Sequence, residues 1–161
     1  MKISFDLDGV IADTDKWFFR LCDFLLRGKK ERDPLLDTMV SDYFLHRPLK
    51  YHPNQFMADG DLGYIITSRR PDTRFDTEEW LRRHGIHLPI VFSDYNGEIA
   101  WFDYEMASCS AGIKKARIIK ELGVEIHFDN NPYIVEKIRE LVPDVKAVLI
   151  GGDRCRKKSP S

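Results

Sequence analysis

The chain has 161 residues, 43% of them apolar and 32% charged, with a formal net charge of −1. That length suits one compact domain, the composition excludes fibrous and disordered classes, and so small a charge supplies no global basic field for nucleic acid or membrane. No apolar run approaches the roughly 20 residues of a membrane span, and the cysteines Cys22, Cys109 and Cys155 have neither disulfide-framework nor zinc spacing, which suits a reducing compartment.

The first apolar stretch, Met1–Ala12, is broken by Asp6 and Asp8, which does not suit a signal peptide; a cytoplasmic location is expected. Lys2–Asp6 within it reads as a strand. Asp13–Asp61 has no clear strand and reads as a small helical insertion, helical over Asp15–Leu26 and Pro34–Leu45. Further strands are expected at Tyr64–Thr67, Ile90–Ser93, Glu125–Phe128 and Lys146–Ile150. Most are nearly continuous in Ile, Val, Leu and Phe, as in strands buried on both faces of a parallel sheet. Helices are expected between them. Thr77–His84 has Asp76 as its N-cap with Glu79 at N3, and Gly85 past its end. Lys114–Leu122 ends at Gly123. Tyr133–Val142 has Asn131 as cap, Pro132 at its first position and a stripe of Ile134, Val135, Ile138, Leu141 and Val142. Arg154–Ser161 reads as a frayed basic tail. Alternating strands and helices predict an α/β fold with a central parallel sheet covered by helices on both sides.

The strongest chemical signal is Phe5-Asp6-Leu7-Asp8-Gly9-Val10, two carboxylates at the carboxyl end of an apolar strand. Ligands of open α/β sheets bind at such strand ends. Buried unpaired acids are costly, and a bound cation removes much of that cost. Three later features fall in order at the following strand ends or helix starts. Ile65-Ile66-Thr67-Ser68-Arg69 offers hydroxyls and a cation, Lys114-Lys115 stands where a helix is expected to open, and His127-Phe128-Asp129-Asn130-Asn131-Pro132 places an acid at the end of the fourth strand. Each of these alone has a plain structural explanation as a turn, a solvated charge or a cap.

Taken together, these motifs resemble those of the haloacid-dehalogenase-like phosphatase superfamily, from Lys2 to about Ile150 with the insertion left out. Asp6, Asp8 and Val10 match its first motif and Thr67 its second. Lys115, with Lys114 as the alternative, matches the third, and Asp129 the fourth. The resemblance implies a Rossmann-like three-layer core, residues 1–12 and 62–153, with a small helical cap at residues 13–61 inserted after the first strand and a tail at 154–161. It implies Mg²⁺ held by Asp6, the Asp8 backbone carbonyl and Asp129, with Asp6 as nucleophile, Asp8 as general acid/base, and Thr67 and Lys115 on the phosphoryl oxygens. One departure is Asn130, where many members carry a second acid. Asp8-Gly9-Val10-Ile11-Ala12-Asp13 and Thr67-Ser68-Arg69-Arg70-Pro71 are similar to the deoxyribonucleotidase-like branch, which points to a nucleotide or other small phosphorylated metabolite.

Candidate substrate contacts are Ser68, Arg69, Lys16, Arg20 and Arg70. Trp101, Phe102 and Tyr104 could stack on a base, although core packing explains them as well. Rival readings are a sugar-phosphate hydrolase, a 3′-phosphatase for nucleic-acid ends (against which the missing basic surplus argues), a phosphotransferase, and a non-catalytic phosphate-binding protein on the same fold. No membrane partner is expected.

Overall fold

The computed structural model describes residues 1–14, 34–93 and 104–151. The expected helix Asp15–Leu26, with Lys16 and Arg20, lies outside the described residues, as do Trp101, Phe102 and the basic tail.

Five strands among the described residues form one sheet, β1 (Lys2–Phe5), β2 (Leu62–Thr67), β3 (Ile90–Phe92), β4 (Ile126–Asp129) and β5 (Lys146–Leu149). All pairings are parallel, in the order β3-β2-β1-β4-β5. The helices are α1 (Pro34–Leu45), α2 (Arg74–Arg83), α3 (Tyr104–Leu122) and α4 (Pro132–Leu141). The architecture is the expected α/β, Rossmann-like one. β1 is central, and the strand order reverses between β1 and β4, the switch point at which open α/β sheets form a crevice.

Alternation along the strands divides the core between two faces. Ile65 joins Ile3, Phe5, Leu7, Val10, Ile11, Trp80 and Leu81 on the α2 side. Ile66 joins Ala107, Ala111, Ile119, Ile134, Val135 and Ile138 under α3 and α4. Helix α2 presents Thr77, Trp80 and Leu81 inward at i, i+3 and i+4. Helices α3 and α4 approach closely at Gly112, where a Cβ would meet the Ile134 Cα at 3.3 Å.

The segment between β1 and β2 returns to the core where it leaves it. Asp13 N–H donates to the Pro48 carbonyl at 2.9 Å and Lys50 N–H to the Ile11 carbonyl at 2.7 Å. Helix α1 has the expected bounds and turns Val40 and Phe44 inward at i and i+4. Trp80 Nε1 ties the end of this segment to α2 through the Arg47 carbonyl at 2.8 Å.

Four local expectations are corrected. Helix α2 starts at Arg74 behind a 3₁₀ turn at Pro71–Thr73, so Asp76 lies inside its first turn, where its carboxylate accepts from Ser41 of α1. Helix α3 starts at Tyr104, ten residues earlier than expected, which puts Lys115 well inside it. β4 runs on to Asp129. Leu141 is 44% exposed and leaves the apolar stripe, whereas Asn131 caps α4 as expected, accepting from the Tyr133 and Ile134 amides. Among the described residues, no helix is long and apolar enough to cross a membrane.

Candidate active site at the carboxyl edge of the sheet

β1 and β4 are neighbours in register, with Ser4 opposite His127 and Phe5 opposite Phe128. Their ends therefore bring Asp6 and Asp129 together at the switch point. Lys115 reaches down from α3 between them. Its Nζ donates to Asp6 Oδ1 and to Asp129 Oδ2, both at 2.7 Å, so these two oxygens stand no more than twice that distance apart. Lys115 is 1% exposed, Asp129 0% and Asp6 8%.

One ammonium thus serves two buried carboxylates, and the charge is short by one. Burial, together with the Asp129 and Asp8 charges, pushes Asp6 up to about 7 in spite of Lys115. Burial also acts upward on Asp129, but the Lys115 charge and the His127 contact outweigh it and hold Asp129 well below the usual carboxylate range. Burial alone would lower Lys115, and the two acids more than reverse that, so it stays charged. Among the described residues nothing donates to Asp6 Oδ2. Among the same residues Asp129 Oδ1 takes only the Asn131 amide, at 2.9 Å.

Asp8 points a different way because the chain turns at Gly9, whose φ of +85° suits glycine. The loop is closed by Gly9 N–H on the Ala12 carbonyl at 2.7 Å and by Ile11 and Ala12 N–H on the Leu7 carbonyl. The Asn130 side chain lies against this glycine, and a Cβ there would stand 2.0 Å from its Nδ2. Arg69 holds Asp8 in a two-pronged grip, Nε on Oδ2 at 2.8 Å and Nη2 on Oδ1 at 2.6 Å, while Thr14 adds a third donor to Oδ1 at 2.6 Å. The guanidinium is itself fixed, with Nη1 on Thr77 Oγ1 at 3.1 Å and its Cζ 3.9 Å from the centre of the Phe44 ring. Arg69, expected at the substrate, is thus turned inward onto Asp8 and is 3% exposed.

Thr67 ends β2 fully buried, and its Oγ1 accepts from the Arg69 amide at 3.1 Å. Ser68 shares a hydroxyl contact with Ser93 at 3.3 Å. Arg70 is exposed and pairs with Asp72 at 2.7 Å. Tyr104 packs edge-on against Tyr133, with ring centres 5.9 Å apart. Lys115, rather than Lys114, reaches the two acids. Ser4, His127, Thr14, Phe44 and Thr77 also belong to the site, and the motifs give none of them a role. For two of them a signal was present: Ser4 and His127 stand two residues before Asp6 and Asp129, so each shares its acid's face of the sheet.

The donor set suits a hard divalent cation. Asp6 carries charge that Lys115 leaves uncompensated and a carboxylate oxygen with no donor among the described residues. No group of three or more His, Cys, Asp or Glu side chains is placed to hold a metal among the described residues. The two carboxylates offer oxygen ligands of the kind Mg²⁺ accepts, with water to complete the set.

No family model matches the chain, and no curated protein matches it significantly. Two solved structures are similar. A chain from the structure of the Pnkp1/Rnl/Hen1 RNA repair complex superposes with a TM-score of 0.53 at 18% identity, over 92% of this chain and 42% of that one. A chain from a second structure of the Pnkp1/Rnl/Hen1 complex gives 0.52 at 17% identity, over 94% and 47%. This chain spans less than half the length of either. At such identity the likeness is one of fold, and it supports the Rossmann-like α/β architecture read from the sheet order.

Proposed function

We propose that this chain is a Mg²⁺-dependent phosphomonoester hydrolase of the haloacid-dehalogenase-like kind, working through an aspartyl-phosphate on Asp6. The observation that carries the reading is the Asp6–Lys115–Asp129 bridge at the switch point. It ties down one oxygen of Asp6 and leaves Oδ2 without a donor among the described residues, as an attacking carboxylate requires. Asp6, the Asp8 carbonyl and Asp129 would hold the cation, which when bound neutralises charge so that a carboxylate can approach a phosphate.

The chain's own residues do the rest. Asp6 Oδ2 forms the new bond to phosphorus as the bond to the leaving oxygen breaks. Asp8 gives its proton to that oxygen, then takes one from the water that attacks the phosphorus, releasing inorganic phosphate and restoring the Asp6 carboxylate. Asp8 Oδ1 already accepts from two donors and Oδ2 from one, so Oδ2 is the oxygen with room for the proton. We assign Arg69 to holding Asp8, Lys115 to orienting Asp6 and contacting a phosphoryl oxygen, and Thr67 to shaping the turn that delivers Arg69. Residues 13–61 serve as a small cap over a core of 1–12 and 62–153. Lys16 and Ser68 remain proposed substrate contacts.

A small phosphorylated metabolite, with a nucleotide first, is the proposed substrate. The phosphorylated end of an RNA is the second reading, favoured by the fold likeness to chains of an RNA repair complex. A Mg²⁺-dependent release assay decides between them, using nucleotides, sugar phosphates and 3′-phosphorylated oligonucleotides with D6N as control. Turnover of none of these, or turnover that survives D6N or excess chelator, refutes the proposal.

A further inference from the structure

We infer that His127, oriented by Ser4, is a positioning residue that presents Asp129 to a divalent cation; the inference rests on the reading of Asp129 as a cation ligand. His127 is fully buried, and its ring bridges two strands. Nδ1 lies 2.8 Å from Ser4 Oγ, and Nε2 lies 3.4 Å from Asp129 Oδ2, a long contact. Ser4 on β1 with Asp6 just past its end, and His127 and Asp129 on β4, thus form a polar block on the sheet face that Lys115 covers.

The hydrogen-bond pattern restricts the ring. A neutral ring with its proton on Nδ1 would turn a bare Nε2 lone pair toward a carboxylate oxygen, which is repulsive. Every arrangement that avoids this has a proton on Nε2, donated to Asp129 Oδ2. Neutral, the ring then accepts a hydrogen bond at Nδ1 from the Ser4 hydroxyl; charged, it donates to Ser4 Oγ instead. In both cases Oδ2 accepts from His127 and from Lys115, and its lone pairs are used. Asp129 Oδ1, with only the Asn131 amide on it among the described residues, is left to face the cation. Fixing which oxygen is presented is what an outer hydrogen-bond partner does for a ligating carboxylate, and losing such a partner typically costs about 10–100-fold in metal affinity or activity.

The test is Mg²⁺ binding to the whole chain, followed by calorimetry, with D129N marking the signal that belongs to this site. H127F keeps a ring and removes the donor; H127Q restores an N–H near the place of Nε2; S4A removes the partner that orients the ring. The expected result is Mg²⁺ affinity reduced about tenfold or more in H127F, largely recovered in H127Q and reduced to a lesser degree in S4A. Kinetics with p-nitrophenyl phosphate should show the concentration of Mg²⁺ for half-activation moving with affinity, while KM for the phosphate ester is unchanged. Wild-type Mg²⁺ affinity in H127F, with only the melting temperature lowered, would show a packing role and overturn the inference alone. Where H127F does not fold, S4A decides by the same criterion. Wild-type protein that binds no Mg²⁺ overturns the functional reading and the inference together.

Discussion

Replacing Asp6 by Asn should abolish turnover and yet stabilise the metal-free protein. Asp6 and Asp129 share one lysine, and burial pushes Asp6 up to about 7 from an ordinary 3.8. In the fold Asp6 therefore keeps its proton to higher pH than in the unfolded chain. That contribution to stability is complete below about pH 4 and is lost as pH rises through about 7. At 1.36 kcal/mol per unit, ionising Asp6 in the fold costs about 4 kcal/mol gross above that range. Asn carries no such cost. It keeps an acceptor for Lys115, but a neutral one, which gives back about 1–2 kcal/mol. The net gain for D6N at pH 8 is about 2 kcal/mol, or about 4–8 °C in Tm for a chain of this size. Thermal unfolding in chelator at pH 5 and pH 8 measures it: the gap between D6N and wild type should be wider at pH 8. Mg²⁺ should then close the gap by stabilising wild type alone. A D6N protein that is less stable at pH 8, or a gap that does not change with pH, refutes the charge imbalance on which the cation reading is built.

Three other substitutions probe the rest of the site. R69K loses the two-pronged grip on Asp8 and the guanidinium face on Phe44, neither of which an ammonium reproduces; kcat should fall about 10²-fold or more with KM little changed, and wild-type kcat would remove Arg69 from the mechanism. G9A forces a side chain into a φ of +85° and against Asn130; stability to urea should drop by about 1–3 kcal/mol, and an unchanged midpoint would show that the loop relaxes freely. N130D adds a carboxylate beside Gly9, so the Mg²⁺ activation curve should move to lower concentration, by less than about tenfold because Asp6, Asp8 and Asp129 repel the new charge; an unmoved curve would mean that Asn130 only shapes the turn into α4.

The sheet was legible because its signal is redundant. Strands buried on both faces are written as apolar runs, and the chemistry-bearing residues stand where those runs stop, so Asp6, Thr67 and Asp129 could be placed from strand ends alone. Helix starts were less legible, for different reasons at each. Around α2, Asp76 in front of Thr77 has the form of a cap, but a 3₁₀ turn at Pro71–Thr73 begins the helix earlier and leaves Asp76 to bind Ser41 across the gap to α1. In α3 the first ten residues include Ser108, Ser110 and Gly112, which have weak helix propensity. At Gly112 the missing side chain is what allows α4 to approach, and packing overrides propensity. Arg69 could not be assigned from sequence, because nothing local distinguishes a guanidinium that faces solvent from one that folds back on an acid 61 residues away. That choice is made by Thr77 and Phe44, which come from two different helices.

On the proposed reading, the charge arrangement gives a reason for a cation in the chemistry. Asp6 and Asp129 share the single charge of Lys115, so this trio is one negative charge in excess when both acids are ionised. A phosphate ester approaching it would be repelled, and Asp6 would be partly protonated near neutral pH, a poor state for a nucleophile. A divalent cation held by Asp6 and Asp129 would correct both faults together, because it would make the trio net positive and favour the ionised form of Asp6. Arg69 cannot do this in its place, since its charge is paired with Asp8 and its guanidinium is held there by Thr77. Nor can Lys115, whose Nζ is already divided between the two acids. On the proposed reading, the two fixed cations set the geometry of the acids, and the exchangeable one makes the site receptive to an anion.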